Sequence, residues 1–158
     1  MKKIASFTVN HLVLLPGLYI SRKDFVNDST ITTYDLRVTR PNEEQVMDTG
    51  SIHTLEHLCA TFLINDLEWM DKIIYFGPMG CRTGFYLILA GEYEPLEILP
   101  LIKKMIEFVI DFEGDIPGAT PKDCGNYSDM NLEGAKYYAK KYYNEVIITK
   151  EERRFKYE

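Results

Sequence analysis

Residues 49–66, TGSIHTLEHLCATFLIND, commit this chain to a helix that must be covered on one face. At about 100° per residue, Leu55, Leu58, Cys59, Phe62 and Leu63 fall at i, i+3, i+4, i+7 and i+8 and form one apolar stripe. Two of the three histidines, His53 and His57, lie on the other side of the wheel. They stand about 40° apart, with Cβ atoms about 5–6 Å from each other. Two imidazoles that close suit a metal, because one ion takes a nitrogen from each. The plain alternative is a solvated polar face. Ala60 and Ile64 share the histidine side, so that side reads as covered, and a covered polar pair needs partners. Glu56 flanks the pair. The pattern is also H-x-x-E-H, the inverted zinc-peptidase motif with glutamate as general base. By itself it points to a small zinc metallopeptidase.

The same wheel places Cys59 in the core as a structural thiol. Cys81 in GPMGCRTG and Cys124 in KDCGNY lie in glycine-bearing loops, where thiols are less often packing groups. A catalytic zinc-type site needs a third protein ligand and an open fourth position. One of these cysteines supplies that ligand, and the other, beside Arg82 if it is Cys81, suits a thiolate favoured by positive charge. Spacing alone leaves open which thiol does which job. A loop cysteine without a role is the plain alternative for each.

SFTVNH, LVLLPGLYI, TITTYDLRVT at 30–39, KIIYF and GFYLILAGE read as strands. GPMGCRTG reads as a turn. A second helix covers 94–112, with Pro95 in its first turn and Pro100 either kinking it or delaying its start. GDIPGATPKDCGNYSD is a long loop, NLEGAKYYAKKYYNE a final helix and ITKEERRFKYE a charged tail. The expected class is α+β: an antiparallel sheet with packed helices in a single domain over 1–158.

The bulk properties exclude several functions. A net charge of −6 argues against a broad nucleic-acid surface. No apolar run reaches the roughly 18 residues of a membrane span. The basic front of MKKIASFTVNHLVLLPGLYI is followed by Asn10 and His11 and by no small-residue cleavage site, so it reads as mature protein. Three cysteines without an export signal read as free thiols in a reducing cytoplasm.

Taken together, SFTVNH, YDLRVTRPN, SIHTLEHL, GPMGCRTGFYL, IPGATPKDCG and LEGAK resemble the S-ribosylhomocysteine lyase (LuxS) family, in order and across nearly the whole chain. The resemblance implies the LuxS fold, related to the inverted zinc peptidases. It implies that His53, His57 and Cys124 hold the metal, usually ferrous iron, with zinc or cobalt able to substitute. It makes Cys81 and Glu56 the acid–base pair and places Ser6, His11, Arg37 and Asp35 at the substrate, with Arg82 beside them. It implies a cytoplasmic homodimer with two sites at the interface, each drawing on both chains.

The implied reaction moves a sugar carbonyl from C1 to C2 to C3. Each move passes through an enediolate that a Lewis-acidic metal stabilises. Loss of the C4 proton then expels homocysteine from C5 and leaves 4,5-dihydroxy-2,3-pentanedione, the autoinducer-2 precursor. Cys81 is suited to carry protons between carbons, with Arg37 or Arg82 favouring its thiolate. Two positions depart from the family pattern: Arg82 replaces an expected glutamine, and Tyr75 an aspartate. They motivate a third reading, a non-catalytic metal-binding signalling module.

Overall fold

The apolar stripe of 49–66 is buried as its spacing demands. In a computed structural model describing residues 3–158, helix α1 runs Thr49–Asn65. Leu55, Leu58, Cys59 and Leu63 are buried, with Phe62 packed against the same core. Asp48 caps the helix: its carboxylate accepts from the Ser51 amide at 2.9 Å and the Ser51 hydroxyl at 2.6 Å.

The sheet is antiparallel and has four strands: β1 (Gly17–Val26), β2 (Ser29–Arg37), β3 (Ile73–Pro78) and β4 (Gly84–Ala90), in the order β1-β2-β4-β3. Side chains alternate across it. Leu18, Tyr34, Leu36, Phe76, Phe85, Leu87 and Leu89 join the core shared with the helices. The register pairs Tyr19 with Asp35 and Asp35 with Tyr86, so these residues, with Arg37, point from the opposite face. One face of the sheet therefore packs and the other carries polar groups. Helix α2 (Pro95–Asp111) and helix α3 (Leu132–Tyr142) complete the helical layer with α1. The class is α+β, as expected.

Three readings of individual segments change, and one of two alternatives for Pro100 is excluded. SFTVNH is no strand: a 3-10 turn at Ala5–Phe7 is followed by further turns. Local polar groups capture its backbone, with Leu12 N–H donating to the Asn10 carboxamide at 3.2 Å and the His11 ring donating to the Val9 carbonyl at 2.9 Å. In LVLLPGLYI the strand starts only at Gly17, just past Pro16, which has no N–H for a ladder. Pro100 does not delay α2, which starts at Pro95 and continues to Asp111. The final helix runs on into a π-helical turn, Tyr143–Ile148.

Burial works against the Asp48 carboxylate, but its bonds from Ser51 outweigh that and hold it below its ordinary pKa. A depressed carboxylate stabilises above its unfolded pKa and loses that effect as pH falls through its folded value. Asp48→Ala is expected to cost about 1 kcal/mol in urea denaturation at pH 7. The gap between the two proteins should close in acid, below about pH 4.

Candidate active site

The long loop between α2 and α3 is stitched onto α1 by its own backbone. His57 Nδ1–H donates to the Pro117 carbonyl at 2.7 Å, and His53 Nδ1–H donates to the Asp129 carbonyl at 3.1 Å. A carbonyl can only accept, so each Nδ1 carries a proton, and in the neutral ring each Nε2 then presents a lone pair. Those two Nε2 atoms face each other at 3.1 Å. Gly118, at φ +72°, turns the chain directly against the His57 ring. Farther along, Asn131 N–H donates to the Thr54 hydroxyl at 2.8 Å, which itself donates to the Gly50 carbonyl at 2.8 Å.

The same loop delivers Cys124. Its amide donates to the Thr120 carbonyl at 3.0 Å, and its Sγ lies 3.4 Å from His53 Nε2. The ligand atoms of His53, His57 and Cys124 all fall within 4.8 Å of one another. With each Nδ1 held by a main-chain carbonyl, both Nε2 atoms and the Cys124 sulfur are directed at one point, where a single ion could take all three. A donor set of two imidazole nitrogens and one sulfur fits a borderline divalent ion such as zinc or ferrous iron. The Nδ1 bonds to main-chain carbonyls are the outer contacts that orient such ligands. Of the two loop thiols, the structure brings Cys124 to the histidines. Glu56, half-buried one residue before His57, makes no hydrogen bond or ion pair among the described residues, so its carboxylate is available. The loop covers the histidine pair, whereas Ile64 on the same side is 62% exposed.

A second group gathers at the polar sheet face. Arg37 and Asp35 form a buried ion pair, with Nη2 to Oδ2 at 2.5 Å and Nε to Oδ1 at 3.1 Å. Arg37 Nη1 donates to Thr83 Oγ1 at 2.6 Å and lies 3.8 Å from Cys81 Sγ, which is 3.1 Å from Thr83 Oγ1. Burial opposes the guanidinium's charge, but Asp35 outweighs it and holds the Arg37 pKa above its ordinary value. A permanent cation thus stands beside an exposed thiol. Arg82, at φ +58°, is exposed and makes no side-chain hydrogen bond or ion pair among the described residues. Ser6 bonds Tyr86 on this face, and half-buried His11 lies in the turn before β1. Tyr75 and Ser6 both line a cavity of about 310 Å³ here. Tyr157 was not among the residues singled out from the sequence, yet its hydroxyl donates to Asp35 Oδ2 at 2.8 Å. Nothing in the tail's composition marks it.

Fold and site together define a class: small α+β proteins whose H-x-x-E-H helix and a loop cysteine bring two histidines and one thiol together in a group that could hold a metal ion. A family model described as S-Ribosylhomocysteinase (LuxS) matches residues 4–153. Relatives named S-ribosylhomocysteine lyase are 55% identical in Clostridium beijerinckii, over 99% of both chains, and 60% identical in Clostridium acetobutylicum, over 90% of both. A third, from Borreliella burgdorferi, is 48% identical over 96% of this chain and 97% of its own. This chain belongs to the LuxS family. A thiol, and not a carboxylate, joins the two histidines, so the peptidase reading is not favoured.

Elemental analysis of purified protein checks this metal centre. Wild type and Cys81→Ala should each retain a bound divalent ion, whereas Cys124→Ala and His57→Ala should lose it by at least about tenfold in affinity.

Proposed function

We propose that this protein is a metal-dependent lyase that cleaves S-ribosylhomocysteine to homocysteine and 4,5-dihydroxy-2,3-pentanedione. The observation that carries the reading is the convergence of two Nδ1-anchored imidazoles and Cys124, on a helix that also carries the half-buried Glu56 next to His57, in a chain whose relatives are named for that reaction.

The proposed resident ion is ferrous iron, with zinc or cobalt able to substitute. When bound, it supplies Lewis acidity to the oxygens of the sugar. Cys81, as thiolate, takes the C2 proton and returns it to C1 while the hydroxyl proton on O2 passes to O1, which moves the carbonyl to C2. The same exchange between C3 and C2 brings the carbonyl to C3. Arg37 favours the charged thiol, because its guanidinium cannot deprotonate in this pH range and is held in place by Asp35. Glu56 then removes the C4 proton, now acidified by the adjacent ketone. The C4 electron pair becomes a C4–C5 double bond as the C5–S bond breaks, and the sulfur leaves as homocysteine thiolate and is protonated. Tautomerisation of the enol gives the diketone. No external redox cofactor enters this balance. Ser6, His11, Arg37, Asp35 and Arg82 are the proposed substrate contacts.

A homodimer belongs to the same reading, and the placement of these groups supports it. The histidines sit on a helix in the layer that covers one sheet face, while Arg37 and Asp35 point from the other face. Among the described residues no hydrogen bond or ring contact joins the two groups. A second copy brings Cys81 of one chain to the metal ligands of the other, and its surface covers Ile64. The proposed location is the cytoplasm, supported by Cys59, Cys81 and Cys124 all being free thiols. Among the described residues no helix is long and apolar enough to cross a membrane.

Titration of thiol released from S-ribosylhomocysteine tests the activity. Metal-loaded, reduced protein should release it, and no release overturns the reading. Cys81→Ala should lose about 10²-fold or more of turnover while keeping metal. Mixing Cys81→Ala with Cys124→Ala chains tests the shared site. Random reassortment restores one intact site in half of the dimers, about a quarter of wild-type activity. No recovery after verified subunit exchange removes the shared-site arrangement.

A further inference from the structure

The C-terminal tail is built into the polar sheet face. Arg154 Nη1 donates to the Pro16 carbonyl at 2.9 Å, and the Tyr19 hydroxyl lies 2.9 Å from the Leu15 carbonyl and 3.4 Å from that of Arg153. At Gly17 the approach is close enough that a Cβ would collide with the Arg154 carbonyl oxygen. The Tyr157 ring then stacks on Tyr19, with centroids 4.7 Å apart and planes at 11°. Its hydroxyl reaches Asp35 Oδ2 at 2.8 Å. A continuous chain of bonds follows: Tyr157 to Asp35, Asp35 to Arg37, and Arg37 to Thr83 and Cys81.

We propose that Tyr157 is a positioning residue for the Cys81 thiol, acting through Asp35 and Arg37. The proposal rests on the reading of Cys81 as the acid–base group. Asp35 Oδ2 accepts two bonds, one from Arg37 and one from the phenol. The phenol draws off part of the carboxylate's charge, so Arg37 is not pulled wholly towards Asp35 and its Nη1 stays aimed at Thr83 and Cys81. Removing the hydroxyl returns the full negative charge to Arg37 and raises the negative field at Sγ. Both changes disfavour the thiolate. The charged and titratable groups around Cys81 are Arg37 and Asp35 on β2, Tyr86 on β4, Tyr157 on the tail and the adjoining Arg82. Burial first, and then Asp35, push the Tyr157 phenol far above its ordinary range, so it remains a donor at every working pH.

Tyr157→Phe tests this, because it keeps the ring on Tyr19 and removes only the hydroxyl. The measurement is the rate at which iodoacetamide alkylates Cys81 in metal-loaded protein, followed by peptide mass spectrometry from pH 6 to 10. The midpoint should move up by about half a pH unit, a roughly threefold loss of thiolate below it. Turnover in the thiol-release assay should fall by a similar factor with KM within about twofold of wild type. Deletion of residues 157 and 158 should do the same. Superimposed alkylation profiles for wild type and both variants overturn the proposal, as does a fall in melting temperature or metal content with the Cys81 profile unmoved. A profile that moves with no effect on turnover upholds the link from tail to thiol and instead removes Cys81 from the reaction.

Discussion

The Asp35–Arg37 ion pair is the constraint around which the polar half of this protein is organised. Taking two charges out of water costs several kcal/mol per ion, and their attraction offsets this only when the remaining donors and acceptors are also satisfied. Here the pair is almost wholly buried and every arm is used. Two guanidinium nitrogens bind the carboxylate, the third reaches Thr83 and Cys81, and the second carboxylate oxygen takes a further bond from Tyr157. The partners come from β2, from the turn before β4 and from the chain's last segment. Their positions are therefore interdependent: neither Asp35 nor Arg37 can move without stranding the other's buried charge.

Helix α1 makes the same division on a smaller scale. Its buried stripe fixes its rotation against the sheet, and that rotation decides where His53 and His57 point. The loop then completes the work with main-chain carbonyls, which settle the tautomer of both rings. Core packing and ligand orientation are thus set by opposite sides of one element. A change in the stripe that turned the helix would misdirect both imidazoles.

Much of this could be read from residues alone. The stripe over 49–66, the two histidines opposite it and the strand at 30–39 all follow from periodicity, because one buried face imposes its spacing on the sequence. The α+β class followed from the same patterns. What periodicity could not supply was the sorting of the two loop thiols, since loops carry no repeat that relates Cys124 to His53 across 71 positions. The carbonyls of Pro117 and Asp129 were equally silent, because any residue provides a carbonyl. SFTVNH looked like a strand by composition, but strand propensity yields there to local bonds from Asn10 and His11. Tyr157 carried no signal because its partner lies 122 positions away.

The seating of the tail against Gly17 and Tyr19 also has a consequence for the order of events during synthesis. Asp35 and Arg37 leave the ribosome early, and their hairpin partners in β1 precede them. The phenol that completes Asp35 is translated 122 residues later. Until that residue is present, Asp35 Oδ2 has only its bond from Arg37, and the network that reaches the Cys81 thiol is complete only once the chain's last residues have been made.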